Sequence, residues 1–415
     1  MPATKRPRTA DTAPNGAVSD ARLRAWWWQR QGLDGSLRGK TPADVLELAG
    51  WARSVGGVGP YLTLFARAGT SREAADASVA KLEIHELPAA RGCTYVLPAS
   101  DFALGLAVGG PFGDADTKTA AKLGVTEKEI AKLCDAVLLA LGKDALDPEA
   151  IRAATGKAAR NLGDEGKRKG MITTLPLALG RLQSSGDIRR VPVGGRLDQQ
   201  RYKYVRWTPN PLAKSNLSDT EALTELGRRF FRWVGPATMK EFQGFAGIGV
   251  KAAKDIVAPL QLEPAADESD RLLLPDDAKV FRACVPTTEP RYALVSCIDA
   301  IAAARRDVSM LVDEKDRATV EKLTFGERPG GGLIDLTANA ILDRGRLIGL
   351  WEFDSEAGEV VWIAFDAVAK KAKQLRAAVD ETEAFVRDQL GDARSFSLDS
   401  PKSRKPKLDA MRRLA

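Results

Sequence analysis

Apolar residues recur at helical spacing through the first two-thirds of the chain and alternate at strand spacing towards its end. A helix is predicted over residues 23–31, with Gly32 as its stop. Thr41 and Pro42 supply an N-cap and a first-turn proline for a helix over residues 43–52. The run Gly56-Gly57-Val58-Gly59-Pro60 separates it from a helix over residues 61–68. Ser71 caps a further helix, extending through residues 73–85, and an extended segment follows at residues 93–97. A helical cluster closing on a strand is the order of a helix-turn-helix with a wing; an irregular helix bundle has the same periodicity. Three consecutive tryptophans, Trp26, Trp27 and Trp28, cannot share one helix face, so at least one is expected between modules, with an exposed stacking role open to another.

The pattern repeats. Thr126 and Asp147 cap helices over residues 126–141 and 147–155, and Thr174 caps a third whose apolar face holds Leu175, Leu179 and Leu182 and which stops at Gly186. Residues 188–193 and 201–207 alternate around Gly194-Gly195, a β-hairpin pattern, so this stretch reads as a winged helix. A third copy follows, with helices over residues 220–233, 238–245 and 250–260 and a strand over 271–274; Thr238 and Glu241 form its capping box. Strand-like segments at residues 292–297, 333–342, 346–352 and 359–364, then a charged helix over 367–390, predict an α+β closing domain. The expected fold is α+β, with tandem winged-helix modules and a C-terminal β-rich domain. Its divisions are a disordered basic tail (1–21), a first module (22–110), a second with a basic wing (111–210), a third (211–285), the α+β domain (286–391) and a flexible basic tail (392–415).

Charge sharpens the picture. The chain has 415 residues and a net charge of +7, yet residues 156–210 alone hold twelve basic and four acidic side chains, so one window carries the whole excess. Arg168, Lys169, Arg181, Arg189, Arg190, Arg196, Arg201 and Lys203 are the candidate phosphate contacts of a double-stranded DNA partner. No apolar run approaches the ~18 residues of a membrane span, and the N-terminal residues lack the apolar core of a secretory signal, so a cytoplasmic, nucleoid-associated monomer is expected. The four cysteines are far apart and His85 is the sole histidine, so no metal or other cofactor is expected.

Pro60-Tyr61, Phe65-Ala66-Arg67, the run from Arg91 to Pro98 with Asp101, Gly235-Pro236-Ala237-Thr238, and Asp299 with Arg306-Asp307 together resemble the winged-helix DNA glycosylases of the AlkZ/YcaQ family, in that family's order. The resemblance implies a C-shaped assembly with a basic concave face that excises bulky N-alkylated purines or unhooks interstrand crosslinks. It also implies a Gln-x-Gln or Gln-x-Asp pair just before the Pro-Tyr helix, holding water and supporting charge at the sugar. The matching positions here are Arg53 and Val55. A guanidinium offers no acceptor to orient water, and valine has no polar atom. Gln29-Arg30-Gln31 has the right letters but lies in the first helix, where a structural role is expected.

Two functions follow. In one, the chain is a DNA glycosylase whose water-positioning group has moved to Asp101, Glu86 or Asp44. In the other, it is a non-catalytic DNA-binding or transcription-regulatory protein built from the same modules.

Overall fold

The computed structural model describes residues 18–110, 114–199, 201–325, 333–365, 369 and 371–414; the basic segment predicted at the N-terminus lies outside these except for its last residues. Helix α1 (Asp20–Arg30) starts on Ser19, whose hydroxyl accepts from the Arg22 N–H. Twice thereafter, among the described residues, the chain runs helix, short strand, two helices, two strands, and between these two passes lies a related one with a single bridge in place of the short strand and three helices after it.

The first pass comprises α2 (Pro42–Ala49), β1 (Ala52–Arg53), α3 (Gly59–Ala68), α4 (Arg72–Ala80), β2 (Ile84–Pro88) and β3 (Thr94–Pro98), its strands in the antiparallel order β1-β3-β2. Two predicted helices are shortened here. Gly50, at φ 110, stops α2 before Ala52, and a Cβ there would meet the Trp233 ring at 3.2 Å. Leu82, at φ 56, ends the helix expected to reach His85, so His85 and Glu86 sit in a strand. Helix α5 (Phe102–Gly109) then leads out.

The second pass comprises α6 (Asp114–Ala121), α7 (Glu127–Leu141), α8 (Pro148–Thr155), α9 (Gly163–Arg168), α10 (Leu175–Ser184), β4 (Ile188–Pro192) and β5 (Tyr202–Arg206); its first strand shrinks to one bridge, Leu146 with Tyr204. Thr126 and Asp147 cap as expected, whereas the Thr174 hydroxyl accepts from the Arg160 N–H instead of capping α10. The third pass comprises α11 (Asp219–Val234), β6 (Ala237–Thr238), α12 (Met239–Ala246), α13 (Val250–Val257), β7 (Glu263–Pro264) and β8 (Arg271–Leu273), with strand order β6-β8-β7, followed by α14 (Pro275–Arg282).

The closing region adds β9 (Tyr292–Val295), α15 (Ala300–Ala303), α16 (Glu314–Phe325), β10 (Asn339–Asp343), β11 (Arg346–Asp354), β12 (Glu359–Ala364), α17 (Lys373–Phe385) and α18 (Pro401–Leu414). Its sheet is antiparallel in the order β12-β11-β10-β9 and is buried on both faces, Leu342 and Ile363 packing with the α1 tryptophans and Ile341 and Phe353 with α17. All three tryptophans are buried, which leaves none to stack on a ligand from solvent.

The free C-terminal tail predicted from its charge is replaced by α18. Leu408 and Met411 enter the core, Arg404 pairs with Asp392, Lys407 with Glu352, and Arg412 with Asp354 and Glu359. The basic run has an acidic sheet edge to dock on, and apolar residues at helical spacing to anchor it.

The first and third passes, α1 and the closing region are locked together by one buried network. Arg67 on α3 makes a two-pronged pair with Asp299, both bonds 2.8 Å and both side chains wholly buried. Thr63 also donates to Asp299, and Arg67 donates to Gln31, whose amide nitrogen donates to the carbonyls of Ala49 and Trp233. Gln31 therefore joins α1, α2, α3 and α11, a structural role.

Candidate functional site

Strand β1 ends on Arg53, the first of the two positions that the resemblance matches to a water-holding pair, and Val55 follows two residues on. Arg53 is paired with Tyr95 across β1 and β3, and its side chain enters a cavity together with Arg91 and Arg306. Trp51, Tyr95, Trp233 and Phe245 wall the cavity, and no Asp, Glu, Asn or Gln lines it. Its free volume is about 20 Å³, room for one water and too little for a purine. Arg91 sits at φ 57 in the turn after β2 and donates to the Gly244 carbonyl at 2.8 Å; Arg306, at φ 54, pairs with Asp335 at 3.2 Å. Among the described residues the Arg53 side chain makes no hydrogen bond or ion pair, and its buried Nε is unpartnered. Burial, helped by Cys93, pushes the Tyr95 phenol up to about 12 against the pull of Arg53, Arg91 and Arg306, so it stays protonated at neutral pH. Val55 lies outside the cavity lining, half-buried against the main core.

The carboxylates considered as replacements are engaged elsewhere. Asp101 accepts from the Trp51 indole and from Arg229, both at 2.8 Å, and burial raises its pKa although both partners oppose the rise. Glu86 accepts from the Ser54 hydroxyl at 2.5 Å and faces Arg190 at 3.9 Å. Asp44 closes the capping box of α2. None of the three lines the cavity; Asp101 and Glu86 each hold partners on other segments of the chain, and Asp44 is engaged by its own helix. Among the described residues no group of three or more His, Cys, Asp or Glu could hold a metal ion.

His85 is buried between Phe102 and Trp207, at ring separations of 6.0 and 5.3 Å, and neither ring nitrogen finds a hydrogen-bond partner among the described residues. Burial, with Arg189 and Arg190 adding to it, drives its pKa down to about 3. The unfolded chain takes up this proton near pH 6.5 while the folded chain refuses it until about pH 3, so stability falls as pH drops through that window. Replacing His85 by Leu is expected to flatten this slope. Urea unfolding should show the parent losing roughly 2 kcal/mol more than the variant between pH 7 and pH 5; equal losses would mean that the imidazole is not the group responsible.

The β4–β5 hairpin exists as expected, but it lies against β2 instead of standing out in solvent. Arg190 covers the Tyr202 ring at 4.7 Å, and Arg189 is half-buried, its pKa lowered by desolvation. The connecting turn is folded into the first pass: Leu197 is buried and its N–H donates to the Tyr61 hydroxyl, while Arg394 donates to the Asp198 carbonyl. Arg196 forms a forked pair with Asp198 and donates to the Leu390 carbonyl. Its expected role as a free phosphate contact is therefore corrected to a clamp on this turn. Arg181 is paired with Glu127 and Lys169 with Glu165. Arg168, Arg201 and Lys203 remain exposed, with no ion partner among the described residues. A cleft of about 670 Å³ separates α10 from the β2–β3 turn, lined by Gly92, Pro176, Gly180 and Arg181 among others.

With this geometry in hand, comparison with known proteins places the chain. The family model for DNA glycosylase AlkZ-like proteins matches residues 58–387, and the chain belongs to that family. Among solved structures it is similar to Streptomyces sahachiroi DNA glycosylase AlkZ, with a TM-score of 0.65 and 18% identity over 91% of this chain and 98% of that one, a likeness of fold. A comparison with curated proteins finds no match. Among the described residues, no helix is long and apolar enough to cross a membrane.

Proposed function

We propose that this chain binds duplex DNA and serves the repair of alkylated or crosslinked DNA, its three helix–strand passes acting as winged-helix modules. The reading is supported by the second pass, where α10 borders an open cleft and where Arg168, Arg201 and Lys203 are exposed with no ion partner among the described residues. A helix of this kind fits a major groove about 12 Å wide, and flanking cations take neighbouring phosphates. Family membership points to repair rather than regulation. Hydrolysis is the weaker half of the assignment, since the cavity at the family's catalytic position contains guanidinium groups and no water-orienting acceptor.

Titrating a labelled duplex at several salt concentrations tests the binding. Each phosphate contact contributes about −0.9 to the slope of log K against log salt. Replacing Arg201 and Lys203 together by Gln is expected to make that slope shallower by about 2 and to weaken binding equally on unrelated sequences. Affinity indifferent to salt would sink the DNA assignment, and an unchanged slope in the double variant would remove these two residues from it.

A further inference from the structure

We propose that the cavity formed by Arg53, Arg91 and Arg306 is an anion site that takes an oxygen of a phosphate group. Other buried arginines in this molecule have acceptors: Arg67 has Asp299, Arg271 has Glu241, Arg24 has Asp313, and Arg305 has the carbonyls of Val234 and Ile301. The half-buried Arg53 side chain has none among the described residues. Its Nε is sealed from water, as are those of Arg67 and Arg305, but the rest of its guanidinium has no partner either. It shares its cavity with Arg91, held by the Gly244 carbonyl, and Arg306, paired with Asp335. Holding like charges together beside aromatic walls and leaving a buried donor unpaired both disfavour the empty state. A bound anion reverses both terms, and the planar guanidinium fork matches phosphate oxygens.

Size decides which anion part enters. About 20 Å³ admits one oxygen, with the remainder of the phosphate at the mouth, and excludes an extruded base. Arg306 also lines a wide cleft whose border mixes Lys240, Arg271 and Arg317 with Glu241, Asp270, Asp307 and Glu321. A cationic ligand is rejected by the three guanidiniums of the cavity. The site stands on its own geometry; it rests on the duplex-binding reading only where the phosphate is supplied by a DNA backbone.

Two titrations separate the sources: calorimetry with inorganic phosphate at constant ionic strength, and a salt series with an undamaged duplex. The parent is compared with Arg53→Gln, with Arg53→Lys, which keeps the charge, and with Lys128→Gln, an exposed control on α7. Because the Arg53 side chain bonds to nothing among the described residues, Arg53→Gln is expected to fold, as circular dichroism would verify. Loss of one charged donor should weaken phosphate binding ~10-fold or more, with partial recovery in Arg53→Lys and no change in Lys128→Gln. If inorganic phosphate is ignored but Arg53→Gln makes the duplex salt slope shallower by about 1, the site takes backbone phosphate alone. If neither phosphate affinity nor slope responds to Arg53→Gln, the anion site is overturned. Phosphate binding that depends on Arg53 in a protein showing no duplex affinity would instead leave the site standing and remove the duplex-binding reading.

Discussion

Asp299→Asn is expected to destabilise the protein by roughly 3–5 kcal/mol, the usual cost of leaving one member of a buried ion pair without its counter-charge. Arg67 would remain wholly buried with its two short bonds to carboxylate oxygen weakened to bonds with a neutral amide, one of whose groups is itself a donor. The damage spreads because Asp299 also accepts from Thr63 and from the Ile301 N–H at the start of α15, and Arg67 also holds Gln31. Chemical unfolding measures the loss, and a value below 1 kcal/mol would show that the pair contributes no specific restraint. Replacing Arg67 by Met and Asp299 by Leu together should recover much of it, since removing both charges leaves neither uncompensated. The pH dependence has a definite sign. Burial alone would raise the Asp299 pKa, but Arg67 and the hydrogen bonds outweigh it and hold the group below its ordinary value. Its contribution is therefore complete above about pH 4 and is lost as pH falls through the lower, folded-state value. Acid should cost the parent stability in this range that the Asn variant does not lose.

The same network shows where local sequence reasoning runs out. Thr126, Asp147 and the Thr238–Glu241 capping box are legible because a cap and its helix are contiguous, and the observed helices start on them. The Gly194-Gly195 hairpin was legible for the same reason. What local pattern could not convey is which partner a charged residue meets across 100 residues or more. Arg196 has the composition of a solvent-facing wing, yet Leu390 and Arg394 fold its turn into the neighbouring helices. The basic run from Lys402 to Lys407 reads as a tail until Asp392 is seen opposite Arg404 and Glu352 opposite Lys407. Leu82 at positive φ breaks a helix that periodicity would continue, because leucine gives no turn signal. At the site, the substitution of Arg53 and Val55 for a polar pair was visible in sequence, but the convergence of Arg53 with Arg91 and Arg306 depends on three strand and helix ends meeting.

Glycosylase activity on simple N7-alkylated purines is expected to lie 10²–10⁴-fold below that of an enzyme with an intact water-positioning pair, a barrier difference of roughly 3–5 kcal/mol. The argument is electrostatic as well as geometric. Cleavage of the N-glycosidic bond builds positive charge on the sugar, and an N7-alkylpurine is itself cationic before it leaves. The Arg53 guanidinium, without a partner among the described residues at a position that the family resemblance matches to the water-holding pair, disfavours both, and no carboxylate among the described residues lines its cavity. Asp101 and Glu86 do not lie in that cavity, and their hydrogen bonds to Trp51, Arg229 and Ser54 hold them in place. Some turnover of a labile lesion can survive, because extruding the base into an altered environment accelerates a reaction that is already spontaneous. The check is to incubate duplex DNA carrying N7-methylguanine with the parent and with the double variant Arg53→Gln, Val55→Gln, and to count abasic sites. A clear gain in the double variant supports the assignment. Turnover by the parent that equals the double variant's would mean that another group orients water, and its loss in Asp101→Asn or Glu86→Gln would identify which.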